Sequence, residues 1–126
     1  MRPLFKRRKR VLLLDDDPSM QRLVVNILGN QGFRVDTFLT GNQAIGALEH
    51  QRYDVILLDL MMPHEGGMTV IRHLRVNDPK SLKRSILLTA SPDSLIDALS
   101  GEVETVVQKP FEAGQLIDAV RRMSES

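Results

Sequence analysis

The chain has 126 residues, which is enough for one domain with its own hydrophobic core. It contains no cysteine, which excludes disulfides and thiolate metal sites, and no apolar run approaches the roughly 20 residues of a membrane span. No apolar stretch typical of a secretory signal follows the basic N-terminus. We therefore expect a cytoplasmic domain.

The net charge of +1 hides an uneven distribution. Residues 1–10 hold six Lys and Arg and no acid, so 11 basic and 16 acidic residues remain over 11–126. Such a segment can contact nucleic acid or anionic lipid, but a solvated leader ahead of the first strand is the explanation we favour. The acidic remainder and the aromatic content of 4% argue against a nucleic-acid-binding module. We interpret residues 1–10 as a leader and expect no nucleic-acid partner.

Strand-like and helix-like segments alternate along the rest of the chain. Apolar runs predict strands at residues 11–15, 33–38, 54–60, 85–90 and 103–109. Helical spacing predicts helices that follow each strand, at residues 18–28, 41–50, 68–77, 92–100 and 112–123. Asp17 is placed to cap the first of these, and Pro18 suits its first position. Apolar residues of that helix then repeat at helical spacing, at Met20, Leu23, Val24, Ile27 and Leu28.

This alternation predicts a doubly wound α/β fold, in which a parallel sheet lies between two layers of helices. Three of the strands are almost continuously apolar, as expected when both faces of a sheet are covered. Ligands of such folds bind beyond the carboxyl ends of the strands. The residues that end the strands are therefore the first candidates for a functional site.

Charged and hydroxyl side chains end four of the five strands. Asp15, Asp16 and Asp17 follow the first strand, and the others end at Asp59, Thr89 and Lys109. Each has an ordinary explanation alone, because an Asp after a strand is often a helix cap and a Lys is often solvated. Together they predict a site for a hard cation such as Mg²⁺, which prefers carboxylate and carbonyl oxygens. The three histidines are scattered, and we do not expect them to be ligands.

The segments that carry these residues resemble the receiver domain of two-component response regulators. They are "LLLDDDPS", "DVILLDLMMPHEGG", "ILLTAS" and "VVQKPF", in the family's order, and the resemblance runs from about residue 10 to 123. It implies a flavodoxin-like (βα)5 sandwich around a central five-stranded parallel sheet, with the receiver domain at residues 11–124. It also implies a stand-alone regulator or a receiver of a larger protein.

The resemblance further implies a role for each site residue. Asp59 corresponds to the phospho-acceptor, Thr89 to the hydroxyl that meets the phosphoryl group, and Lys109 to the lysine that neutralises it. Mg²⁺ or Mn²⁺ would be held by Asp15, Asp16, Asp59 and the backbone carbonyl of Met61. Asp16 is expected to bind the metal directly and Asp15 through water. The Lys109–Pro110 peptide bond, often cis in the family, would help to hold the lysine.

The implied function is a signalling switch that accepts a phosphoryl group from a phosphohistidine. A histidine kinase or a histidine phosphotransfer protein would be the donor, while the downstream target and the oligomeric state stay open. The chain would catalyse only its own phosphorylation and a slow dephosphorylation, because the apolar Met61 cannot orient an attacking water. Val106 lies three residues before the lysine, where the family usually has Tyr or Phe. The stretch of residues 91–106 is also slightly shorter than is usual in the family. Both features predict an atypical output face.

Two alternatives remain from other classes of protein. A receiver-like scaffold that does not use phosphorylation is compatible with Val106, but not with the complete set of acidic, hydroxyl and lysine side chains. A phosphatase with an aspartate nucleophile would need a second Asp two residues after Asp59, where the chain has Met61. The signalling switch is the interpretation we carry forward.

Overall fold

Five parallel strands form one sheet, with helices on both of its faces. The computed structural model describes residues 7–62, 66–90, 102–103 and 105–125. The strands are β1 (Arg10–Leu14), β2 (Arg34–Phe38), β3 (Val55–Asp59), β4 (Ser85–Thr89) and β5 (Thr105–Gln108). The helices are α1 (Pro18–Gly29), α2 (Gly41–His50), α3 (Gly67–Asn77) and α4 (Ala113–Ser124), and a 3₁₀ helix spans Pro79–Arg84. In this part of the chain, none of the helices has the length and apolar character to cross a membrane.

The strand order is β2-β1-β3-β4-β5, and every neighbouring pair is parallel. This is the doubly wound α/β fold predicted from the alternation of elements. The pairing aligns the strand ends, since Leu14 lies opposite Phe38 and Leu58, and Thr89 lies opposite Gln108. The residues that follow β1, β3, β4 and β5 therefore meet at one edge, which we call the carboxyl edge.

Alternate residues of each central strand point to opposite faces of the sheet. Leu12 and Leu14 of β1 join the core beneath α2 and α3, whereas Val11 and Leu13 join the core beneath α1 and α4. All four side chains are fully buried. Two separate cores explain why the central strands are apolar at every position rather than at every second one.

The first helix begins as the sequence predicts. The Asp17 carboxylate accepts a hydrogen bond from the Ser19 N–H at 2.9 Å, and Pro18 occupies the first position. One member of its apolar repeat, Leu23, lies outside the buried face and is 46% exposed. Val24 and Leu28 are buried, and a helix turns by about 100° per residue, which rotates Leu23 away from that face.

The 3₁₀ helix before β4 was not predicted from the sequence, and both a tertiary and a local contact of Arg84 hold it. Arg84 Nε donates to the Tyr53 carbonyl at 3.1 Å, and Arg84 Nη2 donates to Ser81 Oγ at 2.7 Å. Glu102, three residues before β5, also has a distant partner, because the Arg75 guanidinium donates to both of its carboxylate oxygens at 2.7 and 2.8 Å. The predicted helix at 92–100 lies outside the described residues.

Substitutions at two glycines can test how closely α3 packs against the end of β3. A Cβ added at Gly67 would lie 2.7 Å from the Asp59 carbonyl oxygen, whereas one added at Gly46 in α2 would meet nothing within 4 Å. We expect Gly67→Ala to lower the free energy of unfolding by about 1–3 kcal/mol through overpacking. Gly46→Ala should raise it by about 0.4–1 kcal/mol, because alanine has less backbone entropy to lose. Urea unfolding of both variants measures this, and equal shifts in both would contradict the close contact at Gly67.

Candidate functional site

Three acidic side chains converge at the carboxyl edge. Carboxylate oxygens of Asp15, Asp16 and Asp59 lie within 4.8 Å of one another. Asp15 is fully buried and Asp59 is 4% exposed, whereas Asp16 faces solvent. Like charges this close repel strongly where burial removes water, so the cluster needs compensating positive groups.

The backbone turn after each strand holds the buried carboxylate in place. Asp15 Oδ1 accepts a hydrogen bond from the Asp17 N–H at 2.9 Å, and Asp59 Oδ1 accepts one from the Met61 N–H at 2.8 Å. Both bonds span two residues, so each turn orients the carboxylate that precedes it. The other oxygen of each carboxylate, Oδ2, lies near the ammonium group of Lys109.

Lys109 bridges the two buried carboxylates. Its Nζ donates to Asp15 Oδ2 at 3.0 Å and lies 3.4 Å from Asp59 Oδ2. The lysine backbone is anchored to β4, because the Lys109 N–H donates to the Thr89 carbonyl at 2.9 Å. The Lys109–Pro110 peptide bond is cis, as the family resemblance implied.

These contacts keep the lysine protonated. Burial, the largest single effect, lowers the pKa of Lys109, but the hydrogen bond and charge of Asp15 and the charge of Asp59 outweigh it and raise the pKa. One ammonium against three carboxylates leaves two negative charges at this edge. A single divalent cation would balance them.

The cluster fits such a cation. Mg²⁺ binds oxygen at 2.0–2.1 Å, so two direct ligands lie at most about 4.2 Å apart, and a longer separation admits a water. The Asp16 carboxylate has no hydrogen-bond partner among the described residues and is open to solvent. Asp17 is committed to capping α1 and is no member of the cluster.

The other predicted site residues lie at or near the same edge. Thr89 is fully buried at the end of β4, and the Met61 side chain is 54% exposed after β3. Val106 lies opposite Leu87 and packs partly buried against the core beneath α2 and α3. The structure thus brings Asp15, Asp16, Asp59 and Lys109 into one cluster, while the chemical roles of all these residues stay predictions.

Sequence reasoning missed Gln21. Its amide Nε2 in α1 donates to the Asp15 carbonyl at 2.9 Å and to the Phe38 carbonyl at 3.1 Å. The Phe38 carbonyl also accepts the Asp15 N–H at 3.2 Å. Gln21 therefore ties the first helix to the ends of β1 and β2, beside the acidic cluster. The available signal was its place one turn after the Asp17 cap, which turns it toward the strand ends.

Comparison with known proteins agrees with the site. Residues 11–121 match the family described as the response regulator receiver domain. The DNA-binding response regulator MtrA of Mycolicibacterium smegmatis is 34% identical over 116 residues, which cover 90% of this chain and 50% of that protein. The transcriptional regulatory protein TcrX of Mycobacterium tuberculosis is 31% identical over 116 residues, or 90% and 48% of the two chains.

Solved structures show the same fold. The receiver domain of the sensor histidine kinase PA1611 of Pseudomonas aeruginosa has a TM-score of 0.83 at 28% identity, covering 95% of this chain and 100% of that one. It was solved with a magnesium ion coordinated in its active-site cleft. The response regulator TrrA of Thermotoga maritima, in complex with Mg²⁺ and BeF, has a TM-score of 0.80 at 30% identity and covers 91% and 98%.

The chain belongs to the response regulator receiver domain family. It is therefore a signalling protein of the two-component type, with the flavodoxin-like receiver fold. The chain spans about half the length of the curated relatives it matches.

The bridging lysine predicts a particular dependence of stability on pH. Because the pKa of Lys109 is raised on folding, its stabilisation is complete below the unfolded value of about 10.4 and is lost as pH rises through the folded value. The difference in unfolding free energy between the native chain and Lys109→Met should be constant from pH 7 to about 9 and shrink above about 10.4. Urea unfolding without divalent cations measures it, with Lys80→Met as an exposed control. A difference that grows with alkaline pH would refute the bridge.

Proposed function

We propose that the chain is a phosphorylation-activated switch that accepts a phosphoryl group from a phosphohistidine on Asp59, with Mg²⁺ or Mn²⁺ as cofactor. The observation that carries the proposal is the contact of Lys109 with both Asp15 and Asp59, beside the exposed carboxylate of Asp16. A buried carboxylate next to a fixed cation and an open metal site is the arrangement that phosphoryl transfer to an aspartate requires.

The reaction forms an acyl phosphate on Asp59 and breaks the phosphorus–nitrogen bond of the donor, whose imidazole leaves. One carboxylate oxygen of Asp59 is held by the Met61 N–H, which fixes the orientation of the nucleophile. Lys109 offsets the repulsion between this carboxylate and the anionic phosphoryl group. When bound, the cation withdraws further negative charge from the phosphoryl oxygens.

The metal would be held by Asp16 directly, Asp15 through water, Asp59 and the Met61 carbonyl. The exposure of Asp16 supports its direct role, because it can shed water to bind a cation without first breaking a protein contact. The buried Asp15 already accepts the Asp17 N–H and the lysine, which favours an indirect role.

After transfer, about two negative charges would sit where Asp59 carried one. We propose that Thr89, buried at the end of the neighbouring strand, hydrogen-bonds this group and passes the change to the segment that follows it. Val106 cannot supply an aromatic ring to this response, because valine has a short, stiff side chain. The output would then depend on Thr89 and the segment after it, without the aromatic side chain that is usual in the family.

The partner supplying the phosphoryl group would be a histidine kinase or a histidine phosphotransfer protein. The chain would not turn over an external substrate, and its acyl phosphate would hydrolyse slowly. The exposed, apolar side chain of Met61 supports slow hydrolysis, because it offers no polar atom to align an attacking water.

The central test is labelling with acetyl phosphate and Mg²⁺, read by intact-protein mass. The native chain should gain one phosphoryl group, Asp59→Asn should gain none, and Asp118→Asn, an exposed acid on α4, should label normally. A time course after donor removal should show decay over minutes or longer. Equal labelling of the native chain and Asp59→Asn would overturn the proposal. No labelling of any of the three would favour the phosphorylation-independent scaffold.

A second test separates the adjacent aspartates. Asp16→Ala should weaken Mg²⁺ affinity by about tenfold or more, because it removes one of three clustered charges. Asp17→Ala should change that affinity by less than about twofold while costing about 1 kcal/mol of stability through loss of the helix cap. Isothermal titration with MgCl₂ and urea unfolding give the two quantities. Equal losses of affinity would place Asp17 in the metal site.

A further inference from the structure

The edge of the sheet opposite the acidic site is basic. Arg10 and Arg34 lie opposite each other at the first positions of β1 and β2. Arg52 lies two residues before Asp54, whose N–H donates to the Arg10 carbonyl, and Arg84 precedes β4 directly. Four neighbouring strands therefore begin beside basic residues. We call this set the basic edge, and it consists of residues 7–10, Arg34, Arg52, Lys83 and Arg84.

Much of this charge has no ion-pair partner in the part of the chain that the structure describes. Arg7, Arg8, Lys9 and Lys83 are exposed and form no ion pair with any described residue. Arg34 lies 3.8 Å from an Asp36 oxygen and Arg52 lies 3.1 Å from an Asp54 oxygen.

Nearby carboxylates compensate only part of the basic charge. Asp54 also accepts the Arg10 N–H, and Asp36 accepts the Tyr53 hydroxyl, so both have further partners. Two more carboxylates, Glu49 and Asp78, line a cavity of about 430 Å³ beside Arg52 and Arg84. Among the described residues, the eight basic ones of this edge thus lie near these four acidic ones, while Glu102 before β5 is paired with Arg75. The acidic cluster lies a strand length away, about 16 Å, which exceeds the screening length of about 8 Å at physiological salt.

We propose that the basic edge binds the sugar-phosphate backbone of duplex nucleic acid without reading its sequence. Neighbouring strands are about 4.8 Å apart, so the edges of β2, β1, β3 and β4 form a row about 15 Å long. A duplex presents about one negative charge per 1.7 Å of its axis, so this row faces several phosphates at once. Six of the eight basic residues are arginines, whose planar guanidinium matches a phosphate with two parallel hydrogen bonds.

The observations favour a duplex over the other polyanions. Single strands are held by aromatic stacking, and the tyrosine nearest the basic edge, Tyr53, is 3% exposed and bonded to Asp36. Binding to a lipid surface would need apolar side chains that insert between the basic ones. Among the exposed large apolar residues of the described chain, only Val76 lies at this edge. A flat membrane would also press against Glu49 and Asp78, which a narrow duplex backbone can avoid.

The test is the salt dependence of binding to a labelled 20-base-pair duplex of arbitrary sequence, read by fluorescence anisotropy. The chain should bind with a Kd of about 10⁻⁴–10⁻⁶ M near physiological salt, and more tightly at low salt. Arg8→Gln/Lys9→Gln/Arg34→Gln should weaken binding at least about tenfold and reduce the log–log salt slope by about 2–3. Arg22→Gln/Arg72→Gln/Arg121→Gln removes the same charge from exposed helix positions and should change affinity by less than about threefold.

Each other outcome overturns the proposal. Equal weakening in the two triple variants would mean that net charge alone acts, and absence of duplex binding at low salt would exclude the site. Binding to phosphatidylserine-containing vesicles but not to the duplex would assign the basic edge to membranes. If the first triple variant unfolds, the double variant Arg7→Gln/Arg8→Gln repeats the test, because both positions precede the sheet. Asp59→Asn should bind the duplex like the native chain, because duplex binding does not depend on the proposed phosphorylation.

Discussion

The contact of the Lys109 ammonium group with two buried carboxylates determines the charge balance of the whole carboxyl edge. Asp15 and Asp59 end neighbouring strands and are almost inaccessible to water, so their charges would repel strongly without Lys109 between them. The lysine compensates only part of that charge. The remainder, together with the exposed Asp16, leaves negative charge that a divalent cation would balance.

The parallel sheet is what makes this concentration of charge possible. Every strand runs in the same direction, so the residues that follow β1, β3 and β5 meet although they are up to 94 positions apart in the chain. The two cores hold the strands in register, and the backbone turns at Asp17 and Met61 orient the carboxylates. Gln21 adds a link from the first helix to the same strand ends.

The same geometry separates charge of opposite sign. The carboxyl edge holds the acidic cluster, and the opposite edge holds the arginines that begin the strands. A net charge of +1 conceals this arrangement, because the 17 basic and 16 acidic residues of the chain nearly cancel in the total. Composition argued against a nucleic-acid partner because residues 11–126 hold more acidic than basic residues and the aromatic content is only 4%. Composition does not show where the basic residues lie, whereas the register of β1 and β2 places Arg34 opposite Arg10.

The sequence alone determined the fold class, four of the helices described and the family, because hydrophobic periodicity and residues at strand ends are local properties of the chain. It also indicated Asp15, Asp16, Asp59, Thr89 and Lys109, since the carboxyl ends of parallel strands share one edge whatever their order. The strand order, the bridge from Lys109 to both carboxylates, the link made by Gln21 and the 3₁₀ helix before β4 were decided by tertiary structure. Each depends on contacts between segments far apart in the chain, and no local pattern specifies which distant group a side chain will meet. Leu23 shows the same limit, because only the packing of α1 on the sheet decided which side of an apolar stripe is buried.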